Sequence, residues 1–159
     1  MQQVTPFLWF DGQAEEAANH YVSVFDDSSI TDVARYPENT PGEAGSVMTV
    51  NFTVKGHEIA ALNGGPDFTF TPAVSLLVHC QSQDEVDRYW AGLSEGGEPL
   101  PCGWITDRFG VTWQIIPDRL GELLSDPDSG RANRAMQAML KMGKIEIAEL
   151  EAAADATAE

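Results

Sequence analysis

CGWITDRFGVTWQIIP, residues 102–117, reads as a short strand, a tight turn over residues 107–110, and a second strand closed by a proline. Asp at the first turn position can bond its own backbone through its carboxylate, and Gly at the fourth suits a positive φ at the exit. From Val111 onward the side chains alternate: Thr112, Gln114 and Ile116 on one face, Val111, Trp113 and Ile115 on the other. Gln114 is the unusual member. A neutral amide in an apolar strand needs a partner or a cavity to face, and burying it under a helix would strand two donors and an acceptor. Trp113 is therefore expected beneath a helix and Gln114 on the open side.

Upstream of this hairpin, residues 73–80 form another strand-like run. Ser82 followed by Glu85 has the spacing of a capping box and opens a helix through Val86, Tyr89, Trp90 and Leu93, which Gly96 and Gly97 end. Residues 98–100, 103–106 and 111–116 complete the order strand, helix, strand, strand, strand. The first half of the chain has the same order. Residues 4–10 are a strand, and from Gln13 the apolar period lengthens to three and four (Ala14, Ala17, Ala18, Tyr21, Val22, Phe25), the mark of an amphipathic helix. Residues 29–35, 46–54 and 57–62 follow as strands, the last two joined at Lys55-Gly56, a hairpin signal. A repeat of this kind says more about the fold than any single motif.

Beyond Pro117 the pattern changes. Residues 118–124 suit one or two helical turns, 125–130 a linker, and 131–142 a helix with Ala135, Met136, Met139 and Leu140 on one side. Ile145, Ile147, Ala148 and Leu150 continue the apolar pattern, and the residues after Ala152 are expected to fray. Such a tail should pack on the domain or on a second subunit.

Nine Lys and Arg against 25 Asp and Glu leave a net charge of −16. That field repels phosphate backbones and anionic lipid head groups, so nucleic acid and membrane surfaces are set aside as partners. Cys80 and Cys102 match no metal or redox spacing and read as buried thiols in a reducing compartment. The first ten residues lack the basic start and long apolar core of a signal peptide, and no stretch reaches membrane-spanning length. A soluble, cytoplasmic protein is expected.

The duplicated unit, with FLWFDGQAEEAANHYVSVF near the start, GWITDRFGVTWQIIP at the end of the second copy and AMQAMLKMGKIEIAELEAA in the tail, resembles the vicinal oxygen chelate (glyoxalase/bleomycin-resistance/dioxygenase) superfamily. Within it the chain is similar to the PhnB-like, 3-demethylubiquinone 3-methyltransferase-like branch. The resemblance implies an α+β fold: two tandem βαβββ modules (residues 1–68 and 69–118) whose mixed sheet curls into an open cup with helices outside, plus a helical tail over 119–159. It also implies four metal-ligand positions, which fall here on Thr5, Asn63, Ser75 and Gln114. None is His, Asp or Glu, and four neutral oxygens would hold a divalent ion poorly. No metal and no cofactor are therefore expected. The methyltransferase label lacks the glycine-rich loop that would cradle a nucleotide cofactor.

Parity places Phe7 and Trp9 with Thr5, and His79 with Ser75, on the inward side. The ligand-binding set is thus Thr5, Phe7, Trp9, Asn63, Ser75, His79, Trp104 and Gln114, with His79 as the candidate catalytic base. His20 and His57 read as surface or packing residues. Three functions fit: a homodimeric protein that binds a small, partly apolar molecule or acts on it without a metal; a metal-dependent lyase, isomerase or dioxygenase; or a non-catalytic structural or regulatory partner protein.

Overall fold

Period-two and period-3.6 stretches become strands and helices in the order the sequence suggests. The computed structural model describes residues 2–157, which fall into two compact units that divide between Phe70 and Thr71. In the first unit β1 (Phe7–Phe10), α1 (Ala14–Val24), β2 (Ser29–Arg35), β3 (Val47–Val54) and β4 (His57–Asn63) make a sheet of order β1-β4-β3-β2. In the second, β5 (Leu76–Cys80), α2 (Gln83–Ser94), β6 (Glu98–Pro99), β7 (Trp104–Thr106) and β8 (Thr112–Pro117) make a sheet of order β5-β8-β7-β6. In both sheets the first and last strands pair in parallel and the remaining contacts are antiparallel. The chain is thus an α+β protein of two βαβββ modules. A helical tail, α3 (Asp118–Leu124), α4 (Ser129–Met139) and α5 (Ile147–Asp155), belongs to the second unit.

In each module the helix, α1 or α2, covers one face of its own sheet. Ala14, Ala17 and Ala18 of α1 are buried with Tyr21, and these small side chains let the helix sit close on the β3 and β4 residues Val50, Phe52 and Ala61. Ser82 caps α2 by accepting from the Glu85 N–H, and the Glu85 carboxylate reaches back to accept from the Gln81 N–H at 2.7 Å. Val86, Tyr89 and Leu93 of α2 then bury against the β7 and β8 side that carries Ile105, Trp113 and Ile115.

The hairpin between β7 and β8 is tied by one side chain. Asp107 is buried, and its Oδ1 accepts from the Phe109 and Val111 N–H groups at 2.9 and 3.0 Å. Its Oδ2 accepts from the Trp113 indole N–H at 2.9 Å. A buried carboxylate is tolerated only when its oxygens are met in this way.

The tail packs in cis. Leu120, Leu123, Ala135, Ile145, Leu150 and Ala154 form its core, joined by the half-buried β8 residue Ile116. Residues 142–147 run along the second unit: the Cys102 N–H donates to the Met142 carbonyl and the Gly103 N–H to the Gly143 carbonyl, both at 2.8 Å. Gly103 has φ +82, and a Cβ there would stand 2.8 Å from Ile116 Cδ1 and 3.0 Å from Ile145 Cγ1, so only glycine admits the fully buried Ile145. The Gln83 amide of α2 clamps the same segment, donating to the Ile145 carbonyl at 3.0 Å and accepting from the Ile147 N–H at 2.8 Å. Lys144 adds ion pairs to Asp87 at 2.7 Å and to Glu146 at 3.0 Å.

Some boundaries differ from the sequence reading. β1 begins at Phe7 because Pro6 has no N–H to give, although its carbonyl still accepts from Ala60. Instead of fraying after Ala152, α5 runs to Asp155 and buries Ala154, whose carbonyl accepts from Arg134 Nε and Nη2 at 3.1 and 2.8 Å. Residues 158–159 lie outside the described residues. Cys80 is buried as expected, but Cys102 is only half-buried, at a left-handed turn with φ +63.

Two outcomes are expected. Asp107→Ala leaves three donors without their acceptor, and at roughly 1–3 kcal/mol per buried unmet group it should cost about 3 kcal/mol or more. A smaller shift of the urea midpoint would show the hairpin to be held by other contacts. Second, the Lys144 ammonium, and after it the Gln83 amide, hold the Asp87 carboxyl below the usual carboxylate range. A depressed folded-state value means that the stabilisation is present above about pH 4 and is lost as pH falls through the lowered value. Hydrogen exchange at the Ile147 N–H should therefore lose protection on acidification, and Lys144→Met should flatten that dependence.

Candidate functional site

The face of the second sheet turned away from α2 gathers the sequence-predicted residues of that unit. Register sets Leu77 beside Gln114, and Gln114 beside Trp104, so three strands contribute one row. His79 lies two pairs along, beside Ile116, and so on the same face. Gln114 Nε2 donates to Ser75 Oγ at 2.9 Å, which joins two of the predicted residues directly. Trp113 lies on the other face, 1% exposed, as parity requires. Leu77 is 50% exposed, a large apolar side chain open at the β5 end of the row.

His79 also has a partner that sequence reading missed. Its Nδ1 stands 3.3 Å from Oδ1 of Asp118, the first residue of α3. The other carboxylate oxygen accepts from Gln81 Nε2 at 3.1 Å. Pro117 pairs with Cys80 in the parallel ladder, which brings the next residues on each strand, Gln81 and Asp118, level with one another. Only the strand register, which the sequence does not state, could have revealed the contact. Leu77, by contrast, could have been named from its parity with Ser75 and His79.

In the first unit the predicted residues separate. Phe7 and Trp9 pair with Ala60 and Leu62 and share the face away from α1. Trp9 is covered locally: its indole N–H donates to the Gly65 carbonyl at 2.9 Å, Phe68 packs edge-on at 4.9 Å, and a Cβ on Gly64 would fall 2.4 Å from the ring. Asn63, expected beside them, lies on the opposite, α1 side, because it pairs with Phe10 rather than with Trp9. Its Oδ1 accepts from the Ala14 N–H at 2.8 Å, capping α1, and its Nδ2 donates to the Val47 carbonyl at 3.1 Å. Thr5 precedes β1 and lines a separate cavity of about 350 Å³ with Asp32, Asn51 and Glu58.

These positions do not fit a divalent ion. Asn63 has spent its amide on helix capping, Ser75 and Gln114 bond each other, and all four predicted positions are neutral. Among the described residues, no group of three or more His, Cys, Asp or Glu side chains is arranged to hold a metal. No described helix is long and apolar enough to cross a membrane.

Two βαβββ modules with identical strand order define a protein of the vicinal oxygen chelate class. A family model described as 3-demethylubiquinone-9 3-methyltransferase matches residues 2–116, and the chain belongs to that family, the PhnB-like branch of the superfamily. The PhnB protein of Bacillus cereus is 40% identical, with a TM-score of 0.68 over 73% of this chain and 99% of that one. Protein PA1353 of Pseudomonas aeruginosa shares the fold at 22% identity, with a TM-score of 0.61 over 74% and 98% of the two chains. No curated protein matches the chain. The family match stops at residue 116, so Asp118 and the tail helices lie beyond it.

Proposed function

We propose that this protein binds a small, partly apolar molecule on the open face of the second sheet without using a metal. The observation that carries the reading is the row of Leu77, Gln114 and Trp104 with Ser75 bonded to Gln114 at its side. Apolar walls with a few directed polar groups are what a small-molecule site requires. The Gln114–Ser75 bond uses one amide hydrogen, so the amide carbonyl, the second amide hydrogen and the Ser75 hydroxyl hydrogen remain to meet a ligand. His79 on the same face is the group able to exchange a proton with it. Phe7, Trp9 and Thr5 of the first unit are not part of this site: Trp9 is covered by Gly65 and Phe68, and Thr5 lines a cavity of its own. Asn63 is left to its capping role. Methyl transfer has less support, since the turns after β1 and β5, Asp11-Gly12-Gln13 and Gln81-Ser82, offer no glycine-rich phosphate cradle.

The test is a thermal-shift screen against a metabolite library, because a molecule that binds only the folded state raises the melting temperature. For a hit, Gln114→Leu should fold normally and lose about 1–2 kcal/mol of affinity, the cost of one unmet polar contact. Binding that ignores Gln114→Leu, Ser75→Ala and Leu77→Asp alike would move the site elsewhere.

The same reading includes a twofold homodimer in the cytoplasm. It is supported by the large apolar side chains exposed at Phe7, Phe68, Val74 and Leu140, and by Cys80 and Cys102 standing outside any disulfide. Light scattering at micromolar concentration should give twice the chain mass. A single-chain mass would overturn the dimer.

A further inference from the structure

We propose that the C-terminal extension completes the ligand site: Asp118 is a positioning residue that keeps the His79 proton on Nδ1 and leaves Nε2 as a proton acceptor on the open face. The proposal rests on the functional reading above and assigns a role to a residue outside the family match, which ends at residue 116.

The geometry has three parts. Asp118 Oδ1 lies 3.3 Å from His79 Nδ1, and a carboxylate at that nitrogen favours the tautomer with the proton between them. The carboxylate does not swing alone, because Gln81, just past the end of β5, donates from Nε2 to Oδ2 at 3.1 Å. Asp118 itself is fixed in place, since it follows the β8 residue Pro117 directly and starts α3, whose Leu120 and Leu123 are buried in the tail core. The tail thus anchors the carboxylate, the carboxylate sets the imidazole, and the imidazole shares its sheet face with Gln114. The His79 side chain is 67% exposed, so Nε2 is accessible to a bound molecule. In a proton transfer the ligand's O–H or carbonyl-activated C–H would give its proton to Nε2 and keep the electron pair. The imidazolium charge would be met by Asp118 and the new anion by the Ser75 hydroxyl.

Long-range proton–nitrogen NMR correlation on the full chain reads the tautomer of His79 directly, without a ligand. The wild-type protein should show Nδ1 protonated and Nε2 bare. Asp118→Asn should shift the population toward the Nε2–H form, Asp118→Glu should restore much of the original state, and Gln81→Leu should give a partial shift. A wild-type His79 already in the Nε2–H form would overturn the proposal even if Asp118→Asn failed to fold. So would a tautomer that all three substitutions leave unchanged. The two readings fail separately. A ligand that depends on Gln114 while His79 sits in the wrong tautomer removes only Asp118's role. The expected tautomer, with no ligand found on this face, supports the pair and counts against the proposed function.

Discussion

A carboxylate out of water sets the geometry of the second unit. Asp107 accepts two backbone N–H groups and one indole N–H, and these three bonds close the turn and pull Trp113 to the α2 side. Desolvating such a charge costs several kcal/mol, which charge-assisted bonds to its oxygens must offset. An alternative register would leave the carboxylate unmet, so the interaction discriminates between registers as well as holding one. Strand alternation does the rest. With Trp113 anchored inward, Gln114 has only the open face, and there it finds Ser75.

The tail belongs to the same logic. The Bacillus cereus relative is matched over 99% of its length by 73% of this chain, so about a quarter of the chain has no counterpart in it. The tail, which follows the family match over residues 2–116, is bound to the rest of the second unit by Ile145 packed at Gly103 and by the two-way amide of Gln83. The surrounding ion pairs, Arg119 with Glu151 and Arg131 with Asp126, remain partly open to solvent and are individually weak. Apolar burial and the directed amide bonds carry the docking, and the charges add selectivity between neighbouring segments. An extension held this firmly can present a functional group as rigidly as the sheet does, which is why Asp118 can act on a strand residue.

Much of the fold could be read from the residues because its determinants are local. The repeat of strand, helix and three strands, the Ser82 cap and the Asp107 turn all follow from spacing and side-chain chemistry. Parity also told the two faces of β8 apart. What escaped depended on long-range register. The pairing of Asn63 with Phe10 rather than Trp9, and with it the capping bond to Ala14, follows from the β1–β4 register and not from any local signal. Thr5 shares parity with Phe7 and Trp9, but Pro6 ends the regular pairing before it, and it lies in a cavity of its own. Ala154 is buried in the tail core, and its carbonyl is met by Arg134, twenty residues away. The contact of His79 with Asp118 required knowing that β5 and β8 run in parallel.

The slot at Gly103 also bears on how the chain is made. β7 and β8 leave the ribosome well before Ile145, the residue that packs beside Gly103 and Ile116. At about 5–20 residues per second the interval is on the order of seconds. During that time the newborn second module carries an open apolar notch and an α2 amide without its partners. A nascent chain in this state is a natural client for chaperones, and a stop codon just after Pro117 would make that transient exposure permanent.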